Sequence, residues 1–374
     1  MKILFTGGGT GGHIFPIIAV AREIRKVYSS QNLRLFYIGP KDDFASILLS
    51  QEGIEVKAVW AGKIRRYVTF SSVIQNFFDV FIKIPVGILQ SFIHIFYITP
   101  DLIFSKGGFG SVPPVIAGWV LQTPVFLHES DVAPGAANRF LERFALKIFV
   151  SFSDTEYFKP SKMILVGNPI RREILEESKK TSQELFKLTD EKPVILVLGG
   201  SQGAQRINDE ILEVLSDILK EFEIIHQTGT NNFKQIEAES KVVISKDLEK
   251  YYHPYPFFRE EELEKAYRLA DLIVSRAGAG SIFEIAAFGK PSILVPLPEA
   301  AQNHQFKNAY SYAQTGACHV LEEENFTSHF FLEKLKLLFS HPLELEKMSR
   351  AAKEFAKPEA ATVMAKYIIQ YLIN

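Results

Sequence analysis

Cysteine is almost missing from this chain: Cys318 stands alone among 374 residues. That excludes an internal disulfide framework and a cysteine metal cluster, and it suits a reducing compartment. No DxD pair and no metal-spaced histidine cluster occurs, so no metal and no cofactor is expected. GxxxxGK[ST] is absent, which removes a P-loop. Only a few apolar residues separate Lys2 from Gly7, too few for a signal-peptide core, so the first strand is expected to belong to the mature fold. Net charge is only −1 and gives no reason to expect nucleic acid. Its distribution is uneven: residues 1–167 hold 17 Lys+Arg against 12 Asp+Glu, a balance of +5, while 168–374 hold 25 against 31, or −6. A basic first half suits an anionic partner such as a membrane surface or a phosphorylated acceptor; chance asymmetry of solvated faces is the plainer alternative.

What the chain has is glycine at strand ends. KILFTGGGTGGHIFP opens it, an apolar strand running into Gly7–Gly12, then His13 and an amphipathic helix. Amides at such a turn point outward and the helix dipole adds positive charge, so an anion can be held there. Apolar runs followed by helical patterns recur at Lys2–Thr6, Leu33–Ile38, Asp101–Ser105, Pro124–His128, Lys147–Val150, Pro193–Leu198, Glu223–His226, Asp271–Ser275 and Ser292–Val295. Alternating buried strands and helices read as parallel sheets of βαβ units. PVILVLGGSQGA restarts the design, with Ile207, Ile211, Leu215, Ile218 and Leu219 on one helical face. The reading is two Rossmann-like domains, 1–167 and 168–357, with GNP at Gly167–Pro169 as the hinge and their sheets facing across one cleft. Five glycine-bearing or polar turns end strands: Gly7–Gly12, Gly107–Ser111, His128–Asp131, Gly199–Gly203 and Ala277–Ser281. One alone signifies packing as readily as binding; together they favour a phosphorylated ligand.

Gly7, Gly9 and Gly12 match GxGxxG, but a dinucleotide site needs an acidic residue ending the second strand, and LRLFYI ends in Gly39-Pro40. Residues Arg65 to Thr99 invite a membrane reading, because Ile84 to Pro100 carries no Asp, Glu, Lys or Arg. Pro85, Gly87, Gln90, Ser91 and His94 speak against a spanning helix. Phe77, Phe78, Phe81, Ile82, Ile88, Leu89, Phe92 and Phe96, flanked by Lys63, Arg65, Arg66 and Lys83, suit peripheral attachment to anionic lipid. Packing of those side chains on the sheet is the competing account.

The motifs GGGTGGHIFP, GGFGSVPP, HESDVAPGAANRFL, GNPIR, GGSQGAQRIN and SRAGAGSIFEIAAFGKPSILVPLPEAAQNHQFKNA, in this order along nearly the whole chain, resemble those of the MurG glycosyltransferases. The resemblance implies an α/β fold of GT-B type. It also implies an inverting transfer of N-acetylglucosamine from UDP-N-acetylglucosamine to the C4 hydroxyl of the muramyl sugar of lipid I, giving lipid II at the cytoplasmic membrane face. The first domain would take the acceptor and dock on the membrane, the second would hold the donor, and the last helix, 358–374, would pack back on the first. His13 or Glu129 would be the base, and Gly107, Gly108, Ser111 and Asn138 would meet the acceptor. Thr10, Gly11, Gly12, Asp131, Arg171, Ser201, Phe258, Ala279, Gly280, Ser281, Ile282, Phe283, Glu284 and Gln305 would meet the donor, Ser201 on the diphosphate and Glu284 on the ribose. Where the family commonly reads HEQN, this chain reads His128-Glu129-Ser130-Asp131, so a carboxylate replaces an amide. A UDP-N-acetylglucosamine 2-epimerase, or a membrane subunit binding the nucleotide sugar without turnover, are the alternatives. A place in a cell-wall synthesis complex stays open.

Overall fold

A computed structural model describes residues 1–8, 11–63, 65, 69–170, 185–199 and 204–374. The chain forms two compact units, Met1–Arg171 with Lys357–Asn374, and Arg172–Ala356. In the first, strands β1 (Lys2–Thr6), β2 (Arg34–Gly39), β3 (Glu55–Ala58), β4 (Leu102–Ser105), β5 (Val125–Glu129), β6 (Lys147–Val150) and β7 (Met163–Leu165) form one parallel sheet ordered β3-β2-β1-β4-β5-β6-β7. The chain order reverses between β1 and β4, and the turns following these two strands therefore diverge and leave room for a ligand.

Successive residues of a strand point to opposite faces, so an apolar run buried on both sides fills two cores. Ile3 and Phe5 face one core, with Ile14, Ile17, Ala21 and Ile24 of helix Gly11–Val27; Leu4 faces the other, with Ile38, Ile103, Leu127 and Ile148. Helix Ala360–Ile373 closes the first core through Ala361, Met364, Ala365, Ile368 and Ile369, the spacing of one helical stripe. Tyr367 sets its ring against Phe126 and Phe149, and the Thr362 hydroxyl donates to the Glu23 carboxylate at 2.6 Å. Removing Ile368 would cost about 2–5 kcal/mol as a buried large-to-small change.

Phe70–Ile98 is one continuous helical stretch, long and apolar enough by length and composition to cross a membrane. Thr69 and Ser72 form a capping box at its start. Its middle, Asp79–Lys83, widens into a π turn just before Pro85, whose ring would otherwise press on the carbonyl of Phe81. Its polarity is inverted. Ser72, Asp79, Gly87 and Ser91 face inward, while Phe70, Phe77, Phe78, Phe81, Leu89 and Phe96 are exposed. Gly87 lets the helix press on the Trp60 carbonyl, and Gly118 makes room for Ile95 and Ile103, so the helix lies along helix Val112–Val120. Packing on the core therefore accounts for Ile88 and Phe92 but not for the exposed Phe77, Phe78, Phe81, Ile82, Leu89 and Phe96.

The second unit repeats the order with β8 (Val194–Leu198), β9 (Glu223–Gln227), β10 (Tyr252–Tyr255), β11 (Leu272–Ser275), β12 (Ser292–Leu294) and β13 (Cys318–Val320), ordered β10-β9-β8-β11-β12-β13. The expected amphipathic helix is two, Gln205–Glu213 and Leu215–Glu221, broken at Val214, with all five named apolar residues buried. Four strands absent from the sequence reading, β3, β7, β10 and β13, are the sheet edges. An edge strand is covered on fewer sides, so it needs no continuous apolar run; β3 reads EVKA and β10 contains Pro254.

Candidate active site

In the first unit the chemistry gathers at the carboxyl ends of β1, β4 and β5. The β1 turn is anchored from below: the buried Tyr37 hydroxyl donates to the Gly7 carbonyl at 3.1 Å. His13 enters as the third residue of helix Gly11–Val27, half-buried, with its ring between two glycine backbones. A methyl group on Gly8 would stand 3.0 Å from Nδ1 and one on Gly108 would stand 2.9 Å from Nε2. Gly107 and Gly108 have φ of +87° and +79°, so a side chain at either would be strained as well as crowded. The Ser111 hydroxyl donates to the Gly108 carbonyl at 2.7 Å and closes this turn.

Glu129 ends β5, buried and caged by donors. Its Oε1 accepts the Asp131 N–H at 3.0 Å, and its Oε2 accepts Asn138 Nδ2–H at 2.9 Å and the Gly135 N–H at 3.2 Å. Asn138 also donates to the His128 carbonyl at 3.1 Å, so one amide ties the β5 strand end to the loop after it. Lys106, the residue before Gly107, is 3 % exposed; its backbone N–H donates to Thr6 and its Nζ donates to Ser130 Oγ at 2.9 Å.

These charges shape one another. Burial, then the Lys106 ammonium, lower His13 to about 4 against the pull of Asp131, so the imidazole is neutral at physiological pH. Burial and Asp131 raise Glu129 to about 7, opposed by the Asp131 N–H, Lys106 and Asn138. Burial depresses Lys106 too, while Glu129 and Asp131 hold its proton on. His128, fully buried with Nε2 at 3.2 Å from Ser151 Oγ, is pushed well below its usual range by burial and Lys106 and is a core residue.

In the second unit the corresponding turn follows β11 and opens helix Ala279–Ala287, capped by Gly278. Ala279, Ile282 and Phe283 bury their side chains, leaving only their backbone for a ligand. The space beside Gly278 and Gly280 is open to 4 Å, so an anion can come onto the helix N-terminus. Ser281 is half-buried on that first turn, and Glu284 sits one turn in, its Oε2 accepting the Tyr267 hydroxyl at 3.0 Å. Gln305 Oε1 accepts the Leu297 N–H at 3.0 Å, and Asn308 Nδ2 donates to the Ala277 carbonyl at 3.3 Å, tying helix His304–Ala313 to the turn. Phe258 is buried in a ring cluster with Phe186 and Tyr255, so its side chain is structural and any ligand contact there is through its backbone.

Two glycosyltransferase family 28 models match the chain, the N-terminal domain over residues 3–150 and the C-terminal domain over 194–364. A Bacillus cereus UDP-N-acetylglucosamine-N-acetylmuramyl-(pentapeptide) pyrophosphoryl-undecaprenol N-acetylglucosamine transferase 2 is 35% identical over 373 residues, 99% of both chains. This chain belongs to the MurG family of glycosyltransferases. The crystal structure of Acinetobacter baumannii MurG superposes with a TM-score of 0.75 at 25% identity, covering 99% of each chain. The fold is shared more widely: a Neisseria meningitidis UDP-GlcNAc 2-epimerase bound to UDP-GlcNAc has a TM-score of 0.69 at 14% identity, covering 99% of this chain and 100% of its own.

Of the residues the MurG resemblance singles out, His13, Glu129, Asp131, Gly107, Gly108, Ser111 and Asn138 come together in the first unit, with Gly11 and Gly12 opening the His13 helix. Ala279 to Glu284 and Gln305 stand about one turn system in the second. Thr10, Arg171, Ser201 and Arg66 lie outside the described residues. Two basic residues expected to face lipid pair with the buried Asp79, Arg65 at 2.8 Å and Lys83, whose own side chain stays exposed, at 2.6 Å. Burial alone would raise the Asp79 carboxyl, but these two partners hold it below its usual range. Lys106 was missed. Its signal was a charged residue ending an otherwise apolar strand, DLIFSK, immediately before glycines.

Proposed function

We propose that this enzyme transfers N-acetylglucosamine from UDP-N-acetylglucosamine to the C4 hydroxyl of the muramyl sugar of lipid I, with inversion, forming lipid II. The observation that carries the reading is end-to-end likeness to relatives whose names specify that donor and that acceptor. The acceptor oxygen attacks the anomeric carbon, its proton passes to a base, and the bond to the diphosphate oxygen breaks with its electron pair leaving on UDP. His13 is the base. Glu129 has the more favourable pKa, but both its oxygens are engaged by N–H donors and it is 4 % exposed; geometry ranks before pKa in choosing a base. Glu129 builds the loop. The second unit takes the donor: amides at the start of helix Ala279–Ala287 suit a diphosphate, and Glu284 suits ribose hydroxyls.

The enzyme works at the cytoplasmic face of the membrane, docked by the first unit. The outward row of Phe70, Phe77, Phe78 and Phe81 supports this, since a soluble helix normally turns such a face inward. With Arg65 and Lys83 both paired to Asp79, attachment draws more on apolar insertion than on these two charges. Replacing Phe77, Phe78 and Phe81 with Ser is expected to abolish sedimentation with vesicles containing anionic lipid; unchanged binding would defeat the docking reading. The transfer itself is tested with labelled UDP-N-acetylglucosamine and a short-chain lipid I analogue. Label should enter the analogue only when both are present. Acceptor-independent conversion of the sugar to its C2 epimer would instead identify an epimerase.

A further inference from the structure

Lys106 is as buried as any core residue, yet it carries an ammonium group at the end of β4, in the middle of the reacting residues. A lysine is almost never fully buried without counter-charge. Its Nζ is fixed on Ser130, and the residues either side of Ser130 are the two carboxylates Glu129 and Asp131. Those carboxylates share one short loop in which Glu129 gathers the Asp131, Gly135 and Asn138 donors. Two like charges this close, with Glu129 buried and Asp131 half-buried, drive one of them to take a proton, and a protonated Glu129 would give up part of its cage.

We propose that Lys106 and Asp131 form one charge-balanced positioning pair, in which Lys106 is the cation that allows a carboxylate to stand at 131 beside an anionic substrate and keeps the Glu129 loop built. A lone Asp131 would repel a diphosphate, and a lone Lys106 would be an uncompensated buried charge. Together they are neutral toward their surroundings. His13 records this balance, because Lys106 disfavours its imidazolium and Asp131 favours it. Among the described residues, the other charged or titratable groups facing Lys106 are Glu129 and His128.

The inference deepens the transfer reading and rests on it only for its kinetic arm. Full-length Lys106→Met, Asp131→Asn, the double variant and Lys106→Arg are compared in two assays. In the transfer assay Lys106→Met is expected to lose about thirtyfold or more in kcat/KM for the lipid I analogue, as for truncation of one member of a buried charge pair. Asp131→Asn should lose about tenfold, and the double variant should return to within about threefold of the milder single, a coupling typical of residues in one charged network. In the second assay, carbon-13 labelled histidine followed by NMR, Lys106→Met should move the His13 titration up, Asp131→Asn down, and the double variant back toward wild type. Losses that multiply, or a His13 titration indifferent to Lys106→Met, would overturn the pairing. If wild type transfers nothing, the function reading fails while the titration still decides the pair. Should Lys106→Met not fold, Lys106→Arg and the double variant are expected to fold, and failure of the double variant would refute charge balance.

Discussion

The ends of β4 and β11 occupy equivalent places in two sheets of the same strand order, each is followed by a basic residue, Lys106 or Arg276, and the turns beyond are furnished differently. After β4, glycines bring backbone close around His13, and charges gather from this turn and from the end of β5: the buried Lys106 and Glu129 and the half-buried Asp131. After β11, Arg276 is drawn into an ion pair with the buried Glu323, the residues that follow it are small or apolar, and what the turn presents is a helix N-terminus. One topology thus serves two tasks. Moving a proton needs side chains whose pKa values the surroundings can shift, which requires burial and charge. Holding a diphosphate needs aligned amides, which any helix start provides if nothing covers it.

His13→Ala should be the most damaging single change in the first unit. A loss of about 10²–10⁴ in kcat is expected, with little change in KM for UDP-N-acetylglucosamine, because a positioned base contributes only in the transition state. Full activity in this variant would make His13 a packing residue. On the second side the pattern should reverse: Glu284→Ala should raise the donor KM about tenfold or more with a smaller fall in kcat, as a hydrogen bond to a charged group is lost. An equal loss in kcat would place Glu284 nearer the chemistry than the ribose.

Stability against pH sharpens the contrast within the first unit. His13 falls to about 4 in the folded protein, so between about 4 and its ordinary 6.5 the unfolded chain binds more protons, and the stability tied to neutral His13 is lost as pH falls through that window. Glu129 runs the other way. Raised to about 7, it holds its proton better when folded, so its contribution is lost as pH rises from about 4.5 to 7. His13→Gln should flatten the acid side of a melting-temperature profile and Glu129→Gln the near-neutral side; if neither slope changes, the burial of these groups is not felt by the fold. In the second unit His226, between Asn208 and Tyr252 and lowered to about 3 by burial, adds an acid-side slope that His13→Gln leaves in place. The smallest expected effect is that of Tyr267→Phe, about two- to tenfold in donor KM, since it removes one neutral donor from Glu284.

The central strands were legible because they are buried on both faces, and Ile, Val, Leu and Phe must then run without interruption. The edge strands were not, for the complementary reason. His13 and the glycine turns could be found because backbone geometry restricts which residues fit there: Gly107 and Gly108 have positive φ, and a side chain at Gly8 or Gly108 would crowd the imidazole. Lys106 could not be ranked from sequence, since the same letter on a surface would be a solvated charge. The flanking role expected for Arg65 and Lys83 changed with Asp79, which lies far from Arg65 along the chain but within 2.8 Å in space.

By itself, the order of residues determined the α/β class, the repeated strand-turn-helix plan, the glycine turns and the family, because these depend on local periodicity and on motifs contiguous along the chain. Tertiary structure decided which charges share a site, which carboxylate is caged, and which way the aromatic helix faces. The physical reason is that burial and electrostatic coupling act through space, and a lysine, a histidine and an aspartate have no defined pKa or role until the fold sets their neighbours.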